Sequence, residues 1–142
     1  MKARGTAVLG LALLCGCDAE LIFPADYQAE GYLQARNCVY SIDHSLEHGV
    51  TWVDPATPID YCSVAPDMPP GATLLMALYS DDDDACAGPE LRTLAMRKEP
   101  PGTSPASADW TFQEVSSSGH VRRRPGPVHA CVGCHPEGPA CP

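Results

Sequence analysis

Apolar and polar residues alternate along much of the chain, and this alternation predicts a domain made mostly of β-strands. The segment Gly49–Val53 alternates and is rich in β-branched residues, and residues 109–115 (DWTFQEV) alternate in the same way. Two more apolar runs, Thr73–Tyr79 (TLLMALY) and Leu91–Lys98 (LRTLAMRK), also predict strands. We expect the first of these two to be buried, because it is the most apolar stretch after the N-terminal leader.

Turn residues separate these strands, and helical signals are few. Pro69-Pro70-Gly71 and Ser116–Gly119 predict turns, and His120–Arg124 is expected to pair back as a hairpin. Residues 27–37 weakly predict a helix, and a helical turn is expected near the C-terminus. The predicted fold is therefore a small single α+β domain, mainly an antiparallel β meander with a few short helices.

The first residues have the order of regions found in an exported bacterial lipoprotein. Lys2 and Arg4 precede an apolar run over residues 7–15, which is too short to span a bilayer but suits a signal peptide. The run ends in Leu-Cys-Gly-Cys at residues 14–17, which resembles a lipobox and predicts lipidation of Cys17. An ordinary signal peptide, cut at small residues near the same point, is the alternative.

This leader divides the chain into three predicted parts. Residues 1–16 form the lipoprotein signal peptide, residues 17–28 a membrane tether, and residues 29–142 the folded domain. We expect the protein to face the periplasm or the cell surface. Its contact with the membrane is then made only through the N-terminal lipid.

Acidic residues outnumber basic ones, with 18 Asp and Glu against nine Lys and Arg. Removal of residues 1–16 leaves seven basic residues and a net charge of −11. Such a domain is not expected to bind nucleic acid. The run Asp81–Asp84 predicts a solvated loop, because a calcium loop spaces its carboxylates at alternate positions.

The eight cysteines fall into four groups according to their predicted roles. Cys15 leaves with the signal peptide, Cys17 takes the lipid, and Cys131 and Cys134 form a C-x-x-C pair. Four candidates for disulfides remain: Cys38, Cys62, Cys86 and Cys141. An even number in an exported protein predicts two disulfides, and the sequence leaves all three connectivities open.

The segment Cys131-Val132-Gly133-Cys134-His135 carries the most specific chemistry in the chain. In C-x-x-C-H, two thiols one helical turn apart add to the vinyl groups of a haem, and the adjacent histidine binds the iron. We therefore predict one covalently attached haem c, with Cys131, Cys134 and His135 binding the cofactor and His135 as the metal ligand. A structural disulfide or a metal site is the alternative.

Several short segments, taken in order, resemble the cytochrome P-460 family, which includes the cytochromes c-prime-beta. The resemblance covers residues from about 38 to 141, and CVGCH is its only specific motif. The matching segments are Cys38 followed by Glu47-His48-Gly49, Pro70–Leu75, Leu94–Lys98, Ala108–Phe112 and Cys131–His135.

This resemblance implies a mainly antiparallel β fold with one five-coordinate c-type haem, and often a homodimer. In the hydroxylamine-oxidising members, a lysine on the strand after the Pro-Gly turn is cross-linked to the porphyrin. The matching position in this chain falls near Met76 or Ala77, neither of which is a lysine. Lys98, on the next strand, is interpreted as a solvated charge at a strand end. Hydroxylamine therefore stays a candidate substrate, but we expect it to be oxidised poorly or not at all.

Other residues are candidates for the second axial position of the iron. The histidines are His44, His48, His120 and His129, and the methionines are Met68, Met76 and Met96. His48 is favoured among the histidines, because it lies in a segment that resembles the family. A surface or structural role is the ordinary alternative for each histidine.

Three functions follow from these observations. The first is a haem protein with an open sixth position that binds or converts small nitrogen ligands such as nitric oxide, and whether it is an enzyme stays open. The second is a monohaem electron carrier with a redox partner protein, in which a histidine or methionine fills that position. The third is a non-enzymatic lipoprotein held together by disulfides. We expect an open site, because the strand 73–79 is apolar, and Met76 is the residue that could fill it.

Overall fold

The computed structural model describes residues 20–63, 67–127 and 129–139, and these residues form a six-stranded antiparallel sheet with one short α-helix. Each strand pairs with the next one along the chain, so the sheet is a simple meander. The predicted mainly antiparallel β fold is confirmed. The strands are β1 (Leu33–Ser41), β2 (Glu47–Val53), β3 (Thr73–Tyr79), β4 (Arg92–Lys98), β5 (Trp110–Ser116) and β6 (Val121–Gly126), and helix α1 spans His129–Cys134.

The sheet has two faces, because successive side chains on a strand point to opposite sides. On one face, Leu74 and Met96 pair across β3 and β4 and belong to a buried cluster against which Cys131 and Val132 of α1 pack. We call this the helix face. On the other face, Leu75 and Ala95 pack with the N-terminal segment, so we call it the N-terminal face.

The N-terminal segment packs on the sheet. The folded part of the chain therefore begins before residue 29, where the sequence predicted that it would begin. Ile22, Phe23 and Tyr27 are each at most 7% exposed and pack against Leu75. The Gln113 side chain also accepts a hydrogen bond from the Ile22 backbone N–H at 3.0 Å. Residues 17–28 were predicted to be a tether, but from Ile22 onward they form part of the core.

The helix predicted over residues 27–37 is wrong. The chain makes turns up to Gly31, which has a left-handed φ of 84°, and β1 begins at Leu33. Pairing with β2, in which Leu33 lies opposite Val53, stabilises the extended conformation. Local propensity is a weak signal compared with such a long-range partner.

One disulfide joins Cys38 of β1 to Cys86, which lies in the loop after the acidic run Asp81–Asp84. It closes a loop of 48 residues. Cys62 is also disulfide-bonded. Cys141, the remaining disulfide candidate, and Cys17, the predicted lipidation site, lie outside the described residues.

Residues 1–16, the predicted signal peptide, also lie outside the described residues. Within the ranges that the structure describes, no helix is long and apolar enough to cross a bilayer.

Candidate haem site

Helix α1 presents two free thiols on the helix face. Cys131 and Cys134 are three residues apart and are not disulfide-bonded, whereas Cys38, Cys62 and Cys86 are. Cys131 is half-buried against the core cluster of the sheet, and burial raises the pKa of its thiol. Cys134 is exposed. The pair is therefore held one helical turn apart, with one thiol against the domain and the other at its surface.

His135 follows directly and is oriented by two contacts. Its backbone N–H donates to the carbonyl of Cys131 at 2.8 Å, which continues the hydrogen-bonding pattern of the helix by one residue. Its ring nitrogen Nδ1 lies 3.1 Å from the Gly138 carbonyl oxygen. Since a carbonyl only accepts, Nδ1 carries the proton and the lone pair of the neutral imidazole lies on Nε2. This is the nitrogen that a metal would bind.

Gly138 fixes the turn that supplies this carbonyl. Its φ is 117°, and a Cβ at this position would lie 2.5 Å from Nε1 of Trp110. Any other residue would therefore both strain the backbone and clash with a fully buried indole. The close approach to Trp110 holds the segment after His135 against the sheet.

The centre of the helix face is apolar but incompletely covered. Met76 and Leu94 pair across the two central strands, where complete burial is expected, yet both side chains are partly exposed. Gly49 on β2 makes room for the end of the Met76 side chain, since a Cβ there would clash with it. Phe112, on the next row, lies with its ring centroid 6.3 Å from that of His135. Phe112 therefore places an aromatic ring beside the imidazole, and Met76 and Leu94 lie on the same face in a row that continues into Thr51 and Glu114.

The turn between β1 and β2 places a second imidazole at this site. The His44 ring lies 6.3 Å from the His135 ring, measured between centroids, and the two planes are inclined by 26°. Nδ1 of His44 lies 2.7 Å from the hydroxyl oxygen of Ser41. Burial lowers the pKa of His44, and the nearby His135 lowers it further, so its neutral form is favoured.

An ionic cluster holds this turn against the sheet. Arg92 donates to Ser45 Oγ at 3.2 Å, to Glu47 at 2.8 Å and to Glu114 at 3.0 Å. Glu114 also accepts from Arg123 at 3.0 Å. Burial alone would raise the pKa of Glu114, but the hydrogen bonds and charges of Arg92 and Arg123 outweigh it and lower this pKa.

The other candidates differ in which face of the sheet they occupy and in how far they are buried. His48, the histidine favoured from the sequence, pairs with Tyr79 on the N-terminal face, and its Nδ1 lies 3.3 Å from the Ser80 carbonyl oxygen. His120 is exposed in the turn before β6. Met68 and Met96 are buried in the core cluster of the helix face. The side chain of His129 is outside the described part of the structure.

Lys98 is not the solvated charge that was expected. Its ammonium group donates to the Ala108 carbonyl at 2.6 Å and lies 5.4 Å from the centre of the Trp110 ring. The amine is therefore anchored by a hydrogen bond and a cation–π contact at the end of β4.

Comparisons with protein-family models, with curated proteins and with solved structures found no match for this chain. A function can therefore be inferred only from the residues themselves. Sequence reasoning named CVGCH and included His44 among four histidines. It had no signal for the proximity of His44 to His135, because 91 residues separate the two positions.

Proposed function

We propose that this protein is an exported c-type cytochrome with one haem, attached through Cys131 and Cys134 and bound at the iron by His135. The observation that carries this proposal is the pair of free thiols on α1, in a chain whose other described cysteines are disulfide-bonded. A haem supplies an iron that changes oxidation state or binds small ligands.

The residues present fit such a group in three respects. The thiols stand one helical turn apart, as addition to two vinyl groups requires. The hydrogen bond to the Gly138 carbonyl fixes the His135 tautomer in which the lone pair lies on Nε2. Met76 and Leu94 offer a partly uncovered apolar surface on the same face of the sheet. These side chains would hold the porphyrin, orient the proximal ligand and exclude water from one side of the site.

Export is part of this proposal, and the disulfides support it. Cys38–Cys86 and the bonded Cys62 suit an oxidising compartment, since such bonds are rare in the bacterial cytosol. Lipidation of Cys17 rests on the sequence at residues 14–17. Mass spectrometry of the mature N-terminus should find a lipid-modified cysteine, and an unmodified terminus at another residue would refute anchoring.

The group that would occupy the sixth coordination position of the iron distinguishes two activities. The apolar surface of Met76 and Leu94 supports binding of small neutral ligands such as nitric oxide, the activity favoured from the sequence. The imidazole of His44 beside His135 supports electron transfer to or from a redox partner protein, because a side chain then fills that position. We regard electron transfer as the better supported activity.

Haem attachment is tested directly by expression with cytochrome c maturation machinery. The purified protein should keep its colour through acid-acetone extraction and stain for haem on a denaturing gel. Cys131→Ala or Cys134→Ala should weaken retention, and the double variant should lose it. Val132→Ala, inside the motif but without a thiol, is the matched control and should stain like the wild type. A colourless wild-type protein contradicts the proposed function.

A further inference from the structure

We propose that His44 is the second axial ligand of the haem held by CVGCH, so that two histidines bind the iron from opposite sides. This inference rests on the proposed haem attachment and specifies the activity of that site as electron transfer. It assigns a role to the β1–β2 turn, which the sequence interpretation did not connect with α1.

The separation of the two rings carries the inference. An imidazole nitrogen binds a metal at about 2 Å, so two imidazoles on opposite sides of one metal have ring centroids roughly 6 Å apart. The centroids of His44 and His135 are 6.3 Å apart. Their planes are inclined by 26°, which is close to parallel. The spacing therefore fits two ligands of a single iron.

The hydrogen bonds of the two rings agree with this arrangement. Nδ1 of His135 donates to the Gly138 carbonyl, and Nδ1 of His44 lies 2.7 Å from Ser41 Oγ. In the tautomer that binds a metal through Nε2, Nδ1 of His44 donates its proton to this hydroxyl. A histidine that binds a metal usually donates its other N–H to a protein oxygen, which fixes the ring orientation. Both imidazoles have such a partner.

The backbone of the β1–β2 turn adds a further observation. Ser45 and Leu46, which follow His44, have φ values of 67° and 64°, a left-handed conformation that such residues rarely adopt. Arg92 holds this turn through Ser45 and Glu47, with contacts of 3.2 and 2.8 Å. Strained backbone that is fixed by its surroundings is common at functional sites. Here it keeps His44 over the helix face.

Two competing ligands can be distinguished by their positions. His48 is four residues away from His44 but points to the N-terminal face, where its partner is the Ser80 carbonyl. Met76 lies on the helix face, so its thioether is the competing ligand. With His44 in place, one electron passes between the iron and a redox partner protein, and no bond is made or broken.

The test uses the haem-loaded, full-length protein and its spectra. The wild type should be low-spin in both oxidation states, should lack the charge-transfer band of a methionine-ligated ferric haem, and should not bind carbon monoxide. His44→Gly should become high-spin in the ferrous state and bind carbon monoxide, and added imidazole should restore the low-spin spectrum. His48→Gly is the matched control and should keep the wild-type spectra. Met76→Leu tests the competing ligand, and it should stay low-spin if His44 binds the iron.

The outcomes separate this inference from the proposed function. A wild-type protein with attached haem that is five-coordinate or binds carbon monoxide overturns His44 ligation and leaves haem attachment intact. A low-spin spectrum lost in Met76→Leu and kept in His44→Gly assigns the position to methionine, which also overturns it. Wild-type protein without haem refutes both. Wild-type spectra can refute His44 ligation without any variant, but they do not say which histidine binds. If His44→Gly does not fold, His44→Met replaces it, and this variant should gain the charge-transfer band of a methionine-ligated ferric haem; a low-spin spectrum without that band would overturn the inference.

Discussion

The two faces of the sheet differ in how completely the chain itself covers them. On the N-terminal face, Leu75 and Ala95 are 1% and 3% exposed beneath Phe23 and its neighbours. On the helix face, Met76 and Leu94 occupy the same two central strands and stay partly exposed. A six-residue helix and one turn flank this second surface. Among the described residues, the central apolar pair is therefore buried on the N-terminal face and partly exposed on the helix face, where we propose that the haem binds.

Removal of the Cys38–Cys86 disulfide should have the largest effect on stability. Both cysteines pack beside the buried residues Val50, Ala77 and Tyr79 on the N-terminal face. A cross-link over 48 residues stabilises a domain by about 4 kcal/mol through the unfolded chain. Cys38→Ala/Cys86→Ala should lower the free energy of unfolding in urea by this amount and leave the haem spectra unchanged. Lost haem coordination in this variant would show that the two faces are coupled.

Truncation of matched leucines compares the two faces directly. Leu75→Ala should cost about 3 kcal/mol whether or not haem is attached, because it leaves a cavity in a closed core. Leu94→Ala should cost only about 1 kcal/mol in protein made without haem, since that side chain is already partly exposed. In the haem-loaded protein the cost of Leu94→Ala should rise. Equal costs with and without haem would place the porphyrin elsewhere.

The Glu114 cluster predicts a smaller, pH-dependent effect on the helix face. The pKa of Glu114 is lowered below its ordinary value of 4.5, so its contribution is complete above that pH and is lost as the pH falls through the lowered value. Glu114→Gln should therefore destabilise the protein by about 1–2 kcal/mol at neutral pH and by less in acid. Urea unfolding from pH 7 to pH 3 measures this. Asp84→Asn, in the exposed acidic loop, is the control, and a parallel pH profile would contradict the prediction.

The sequence by itself determined the elements in which the local preferences of neighbouring residues agree. Thr73–Tyr79 was predicted with the bounds that β3 has, because a seven-residue apolar run that follows a Pro-Gly turn has the length and boundaries of a buried strand. The strands β4 and β5 and the helical turn at CVGCH were also placed within a residue or a few. The C-x-x-C-H motif is equally local, so the prediction of a haem site could be made without knowledge of the fold.

Only the tertiary structure decided the features that join distant parts of the chain. Ile22, Phe23 and Tyr27 became core, and residues 33–37 became part of a strand, because partners far along the chain bury or pair them. The choice of Cys86 as the partner of Cys38 and the anchoring of Lys98 on Trp110 have the same origin. His44 and His48 are only four residues apart, and the sequence did not show which of them approaches His135. The β1–β2 turn places His44 beside His135, whereas strand pairing directs His48 to the opposite face. Alternation along a strand fixes which residues share a face, but packing across the whole domain fixes what each face meets.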